Sequence, residues 1–189
     1  MTVIAADSNE PAPASLVDRA RAGDADAFLA LVRRHEPELR GLVARMLGEP
    51  DRVPDVLQET FLRAFRALPK FRGDASLGTW LYRIAYNICL DELRRPRLRL
   101  VPLEDAELAA APADTAATVG RSAALRAALA ALPPDERAAV LLVDGEGFDY
   151  TSAGEVLGVP AGTIASRLSR ARGALRKALA EPPEGVHRP

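Results

Sequence analysis

The chain has 189 residues, 48% of them apolar, with a formal net charge of −1, one cysteine and two histidines. Lone Cys89 excludes an internal disulfide framework and a cysteine-based zinc site, and His35 and His187 lie too far apart in sequence for metal-ligand spacing. No metal or cofactor is therefore expected. No apolar run reaches the roughly 18 residues of a membrane span, and the acidic N-terminal start has no signal-peptide core, so a soluble, cytoplasmic chain without membrane insertion is expected.

Aromatics make up only 5% of the chain, and three of them cluster between Trp80 and Tyr86. An Ala- and Arg-rich composition with few Val or Ile runs favours helix over strand. Residues 1–14, with Pro11 and Pro13, read as a disordered tail. Ser15 is placed to cap a first helix. A second starts near Asp24, with Phe28, Leu31, Val32, Leu39, Leu42, Val43 and Met46 at helical spacing, and Pro37 is expected to kink or interrupt it. A third opens at Pro54, a favoured first-turn position. Leu57, Phe61, Ala64, Phe65 and Leu68 form its apolar stripe, while Asp55, Gln58 and Glu59 fall on another face. After the loop FRGDAS, Ser76 or Thr79 caps a fourth helix that runs to about Arg95, before Pro96.

Residues 97–118 change character. They are rich in Pro, Ala and acid without a clear period, and read as a linker. Helical pattern resumes over 119–131, breaks at Pro133-Pro134 and returns over 135–143. Two further helices flank Gly158-Val159-Pro160. The expectation is an all-α protein of two small helical domains joined by a flexible linker.

Near-neutral charge argues against indiscriminate nucleic-acid binding, but the charges are segregated. Residues 162–180 hold Arg167, Arg170, Arg172, Arg176 and Lys177 and no acid, and 94–99 hold four arginines and no acid. Glu104, Asp105, Glu107 and Asp114 lie between these zones. Two basic zones separated by an acidic one suggest two contacts with a polyanion.

The segment YTSAGEVLGVPAGTIASRLSRARGALRKAL reads as helix, sharp turn at Gly158, then basic helix: a helix-turn-helix whose second helix suits a DNA major groove. A two-helix hairpin with a solvated basic face is the alternative. Thr163, Ser166, Arg167 and Arg170 are the candidate DNA contacts. In the fourth helix, Trp80 and Asn87 lie two turns apart on nearly one face with Arg83 between them, while Leu81, Ala85 and Ile88 point to the core. An aromatic ring, a cation and an amide can stack on an unpaired base and read its edge. Taken alone, the same residues also fit core packing for Trp80 and plain solvation for Asn87.

The blocks DVLQETFLRAFRAL and FRGDASLGTWLYRIAYNICLDELRR resemble region 2 of bacterial RNA polymerase sigma factors of the extracytoplasmic-function (ECF) group, in the sigma-70 family. LPPDERAAVLLVDGEGFDYTSAGEVLGVPAGTIASRLSRARGAL resembles region 4 of the same group. The resemblance implies region 2 over 15–96, a linker over 97–118, region 4 over 119–180 and a tail over 181–189. It implies that Asn87 contacts a base flipped from the −10 element. Phe71, Arg72, Ser76 and Thr79 then belong to the pocket loop, with Trp80, Arg83 and Tyr86 beside the melted strand or supporting it. Asp55, Gln58, Glu59 and Leu62 are implied to dock on the β′ clamp helices of core RNA polymerase, with Phe61 kept for the core. Region 4 is implied to rest on the β flap and read the −35 element. Promoter DNA, core polymerase and an anti-sigma factor are the expected partners.

The chain departs from the family pattern at Thr151–Gly154, where an acidic pair and an aliphatic residue are common, at Ala165, often basic, and at Gly78, often larger. Gly154 inside a helix is expected to weaken it by roughly 1 kcal/mol. A conventional helix-turn-helix regulator is the competing reading, and it leaves the Trp80–Asn87 and Asp55–Glu59 faces without a role. An enzyme finds no support in any nucleophile–base pairing, phosphate loop or metal cluster. Cys89 reads as a small core residue rather than a redox sensor.

Overall fold

The computed structural model describes residues 14–95 and 116–180. The expected tails and most of the expected linker lie outside the described residues. All regular structure among the described residues is helical.

The first half contains α1 (Ala14–Arg21), α2 (Ala25–Val32), α3 (Glu36–Leu47), α4 (Val53–Ala67) and α5 (Leu77–Arg94). Its boundaries follow local chemistry. Asp24 caps α2 by accepting the Ala27 N–H at 3.0 Å. Pro37 sits in the first turn of α3 and separates it from α2, and Gly48 ends α3 in the left-handed region at φ 70°. Pro54 lies in the first turn of α4. Ser76, rather than Thr79, caps α5, accepting the Thr79 N–H at 3.0 Å. Helix α1 includes Ala14, so Ser15 lies within it.

The core of this half is where α3, α4 and α5 meet. Leu39, Leu42, Val43, Met46, Leu57, Ala64, Leu81 and Ala85 are all buried. Cys89 is buried with them, and burial pushes its thiol up to about 12. Phe28 of α2 packs edge-on against Phe65 of α4, ring centres 5.2 Å apart.

The second half contains α6 (Ala116–Ala131), α7 (Pro134–Val140), α8 (Tyr150–Leu157) and α9 (Ala161–Ala180). Helix α6 begins at Ala116, two residues before the expected end of the linker at 118. The helix expected over 135–143 divides into α7 and a π-turn, Leu141–Gly145. Asp149 caps α8 by accepting the Ser152 N–H at 2.7 Å, and Gly158 turns the chain at φ 67°. Ile164 and Leu168 of α9 and Ala153 and Val156 of α8 are all buried, and the two helices pack together.

The halves are packed together, which the reading of two domains on a linker did not anticipate. Helix α5 lies against α8, and α3 against α6 and α7. Arg137 of α7 is only 5% exposed. Its guanidinium donates to the Met46 carbonyl near the end of α3, to Ala130 O at 2.6 Å and to Leu132 O at 3.1 Å. One planar fork thereby satisfies carbonyls at the C-terminal ends of helices from both halves.

Candidate nucleic-acid and polymerase interfaces

The loop before α5 is built for a defined shape. Gly73 turns at φ 77°. Arg21 of α1 donates to Phe71 O at 2.7 Å, holding the loop against the first half. The Phe71 ring packs on Trp80, centroids 5.0 Å apart and tilted by 41°. The Ser76 and Thr79 hydroxyls share a hydrogen bond at 2.9 Å, and Thr79 is buried. Trp80 is half-buried, and Arg72, Arg83 and Asn87 are exposed. The α5 face thus presents part of an indole, a guanidinium and an amide, as its spacing indicated.

Tyr86, implied to lie beside the melted strand or to support it, is covered by the second half. It is 4% exposed and turns into the second half, donating its hydroxyl to Asp135 Oδ1 at 3.0 Å. Burial, with the Asp135 carboxylate, raises its pKa. The helical period gives its direction but not the element that covers it.

On α4, Asp55 and Gln58 are exposed and Glu59 is half-buried. Leu62 is 43% exposed, large for an apolar side chain. Phe61 is half-buried and packs against the core, in keeping with its assignment there. Glu59 accepts from Arg63 at 2.7 Å, and Arg52 pairs with Glu92 of α5. These charges line a groove of about 270 Å³ between α4 and α5, with Asp55 at one side. Sequence reading missed Arg52, Arg63 and Glu92 because their counter-ions lie on a neighbouring turn or helix.

In the helix-turn-helix, Gly154 has a steric role. A Cβ there would lie 2.6 Å from Val159 O, inside the turn. The Val159 N–H donates to Gly154 O at 2.9 Å in that same turn. The glycine therefore permits the close approach that forms the motif, and the expected helix weakening is not its main consequence.

On α9, Thr163 is half-buried and Ser166 exposed, with the Ser166 hydroxyl donating to Thr163 O at 2.9 Å. Arg167 donates to Asp135 Oδ2 at 2.6 Å, Arg170 to Glu136 at 2.6 Å and Arg172 to Asp144 at 2.5 Å. Three of the five cations of the basic helix thus meet carboxylates of α7 and the π-turn. Ala165 is exposed on the same helix.

A second inter-half cluster centres on Glu146, which is 6% exposed. Its carboxylate pairs with Arg45 of α3 and accepts the Tyr82 hydroxyl of α5 at 3.2 Å. Tyr82 also packs edge-on against Phe148, 5.0 Å between centroids. Burial raises the Glu146 pKa, and Arg45 opposes that shift. No group of His, Cys, Asp and Glu among the described residues could hold a metal ion, and no helix among them is long and apolar enough to cross a membrane.

The profile of Sigma-70 region 2 matches residues 31–99, and that of Sigma-70, region 4, matches 122–175. The chain is 38% identical over 180 residues to the ECF RNA polymerase sigma factor SigM of Mycobacterium tuberculosis, covering 95% of this chain and 90% of that one. It is 37% identical over 177 residues to the RNA polymerase sigma-H factor of Pseudomonas aeruginosa, covering 87% and 92%. Among solved structures, it is similar to CnrH in complex with the cytosolic domain of CnrY, with a TM-score of 0.67 at 29% identity over 88% of this chain and 96% of that one. It is also similar to RpoE in complex with the anti-sigma factor NepR from Bartonella quintana, with a TM-score of 0.63 at 25% identity over 85% and 98%. With two helical halves in this order, a helix-turn-helix in the second and a relative this similar along nearly its whole length, the chain belongs to the ECF group of the sigma-70 family.

Proposed function

We propose that this chain is a dissociable, non-catalytic subunit that binds core RNA polymerase and directs initiation at promoters. The observation that carries the reading is one chain holding two different nucleic-acid faces. The α5 face, with Trp80, Arg83 and Asn87, suits an unpaired base. The α8–α9 helix-turn-helix suits duplex.

In this reading, Asn87 reads a base flipped from the −10 strand, and the loop of Phe71, Arg72, Ser76 and Thr79 forms its pocket. Trp80 and Arg83 line the strand. Stacking on an aromatic side chain is worth roughly 1–3 kcal/mol per base, which offsets the few kcal/mol of unpairing. Asp55, Gln58, Glu59 and Leu62 dock on the β′ clamp helices, and the exposure of Leu62 supports this. Thr163, Ser166, Arg167 and Arg170 contact the −35 element while region 4 rests on the β flap. Region 2 spans 15–96 and region 4 spans 119–180. CnrH and the Bartonella RpoE are each in complex with a partner, an anti-sigma factor in the second case, and an inhibitor of that kind is proposed for this chain too.

Run-off transcription with purified bacterial core polymerase tests the reading, using the DNA upstream of this protein's own operon. A discrete transcript that depends on the added protein is the expected result. Absence of both transcript and core binding, with tight duplex binding by the protein alone, would replace this reading with a conventional regulator.

A further inference from the structure

We infer that Arg21 of α1, with Lys70 and Arg72, forms a site for the backbone phosphates of single-stranded DNA beside the loop before α5. The inference deepens the −10 reading proposed above and rests on it. That reading places a base among Trp80, Asn87 and the loop, and gives α1 and Lys70 no part.

Three cations converge on one short piece of backbone. Helix α1 packs against the turn Leu68–Lys70. Arg21, the last residue of α1, donates from Nη2 to Phe71 O at 2.7 Å. Lys70 and Arg72 flank Phe71 in sequence. All three cations are exposed, and none forms an ion pair among the described residues. The nearest acids in sequence, Asp18 and Asp74, are exposed as well and pair with none of them. On α9, by contrast, Arg167, Arg170 and Arg172 all meet carboxylates. Like charges gathered without counter-ions repel one another, and an anion relieves that repulsion.

The Phe71 carbonyl orients the Arg21 side chain. It occupies one N–H of the guanidinium and leaves the rest of the fork for phosphate oxygens, which suit its planar, bidentate geometry. A side chain held beforehand loses less entropy on binding. The cluster also adjoins the base-reading face. The Phe71 ring lies 5.0 Å from that of Trp80, and Arg83 stands one turn further along α5. A strand with a base stacked on Trp80 brings its adjoining phosphates to Phe71, where the cations stand.

The test is fluorescence anisotropy of a labelled oligothymidylate with the full chain, over a series of salt concentrations. For single strands, log K falls with log salt by about 0.7 per neutralised phosphate. Arg21→Gln and Lys70→Gln are each expected to lower that slope by about 0.7, and together to weaken binding roughly tenfold at physiological salt. Arg21→Lys keeps the charge and is expected to keep the parent slope. The Lys70 side chain makes no hydrogen bond among the described residues, so Lys70→Gln reports on the site even where Arg21→Gln disturbs the loop. Arg40→Gln removes the same charge from an exposed cation already paired with Glu36, and is expected to leave the slope unchanged. Parent-like slopes in both Arg21→Gln and Lys70→Gln overturn the site. So does an equal fall in Arg40→Gln, which reduces the effect to net charge, or parent binding without salt dependence. The oligothymidylate needs neither polymerase nor promoter. Failure of the promoter reading appears instead as a missing run-off transcript with the slopes still lowered.

Discussion

Two glycine-to-alanine substitutions in the second half are expected to move stability in opposite directions. Gly154 and Gly173 both lie in helices, so propensity alone favours alanine at each by about 1 kcal/mol. A Cβ at Gly173 meets nothing within 4 Å, and Gly173→Ala is expected to stabilise by roughly 0.5–1 kcal/mol. A Cβ at Gly154 would sit 2.6 Å from Val159 O and 3.5 Å from Ala161 N, both backbone atoms. An ordinary carbon–oxygen contact is at least about 3.3 Å, so the turn must move by roughly 0.7 Å. That movement loosens the Val159 N–H to Gly154 O bond of 2.9 Å, at about 1 kcal/mol. The overpacking costs a further 1–3 kcal/mol or so. Subtracting the propensity gain leaves Gly154→Ala destabilising by about 2 kcal/mol, roughly 4–8 °C in Tm for a chain of this size. Thermal melts followed by circular dichroism on parent and both variants give the answer. Equal stabilisation by the two substitutions would refute the steric account of the turn.

Asn87→Ala is expected to impair opening at a natural duplex promoter. The loss should be much smaller on a template with a pre-melted bubble whose −10 strand is randomised, and equal activity on the natural duplex would remove Asn87 from base reading. Arg137→Lys is expected to destabilise by about 1–3 kcal/mol in urea titration, because an ammonium cannot reach carbonyls of Met46, Ala130 and Leu132 together; a parent-like midpoint would contradict it. The folded state holds the Cys89 thiol neutral up to about pH 12, against a reference of 9.0. Its contribution to stability is therefore complete below about pH 9 and is lost as pH rises from there to about 12. Cys89→Ala should show a shallower loss over that window, and identical alkaline slopes would be the contrary result.

The helices, their caps and the helix-turn-helix were legible in the chain because their causes are local. Pro37 and Pro54 open helices, Asp24 and Ser76 cap them, and Gly158 turns the chain where the spacing indicated. The Trp80–Asn87 face followed from a period of 3.6 residues, which places side chains on a helix without reference to anything else. The role of Gly154 was not legible, since propensity counts the helix it occupies and not the carbonyl of Val159 folded back against it.

The union of the two halves belongs to the tertiary structure alone. Glu146 meets Arg45 across 101 residues, Arg137 meets Met46 across 91 and Tyr82 meets Glu146 across 64. Such pairings leave no local signature, because a carboxylate in sequence carries no mark of which distant cation or hydroxyl will answer it. The helical period fixes only the angle at which Tyr86 leaves the α5 axis. Only the packing of α5 against the second half decided that it meets Asp135 there, because burial and counter-ion choice depend on what the fold brings opposite.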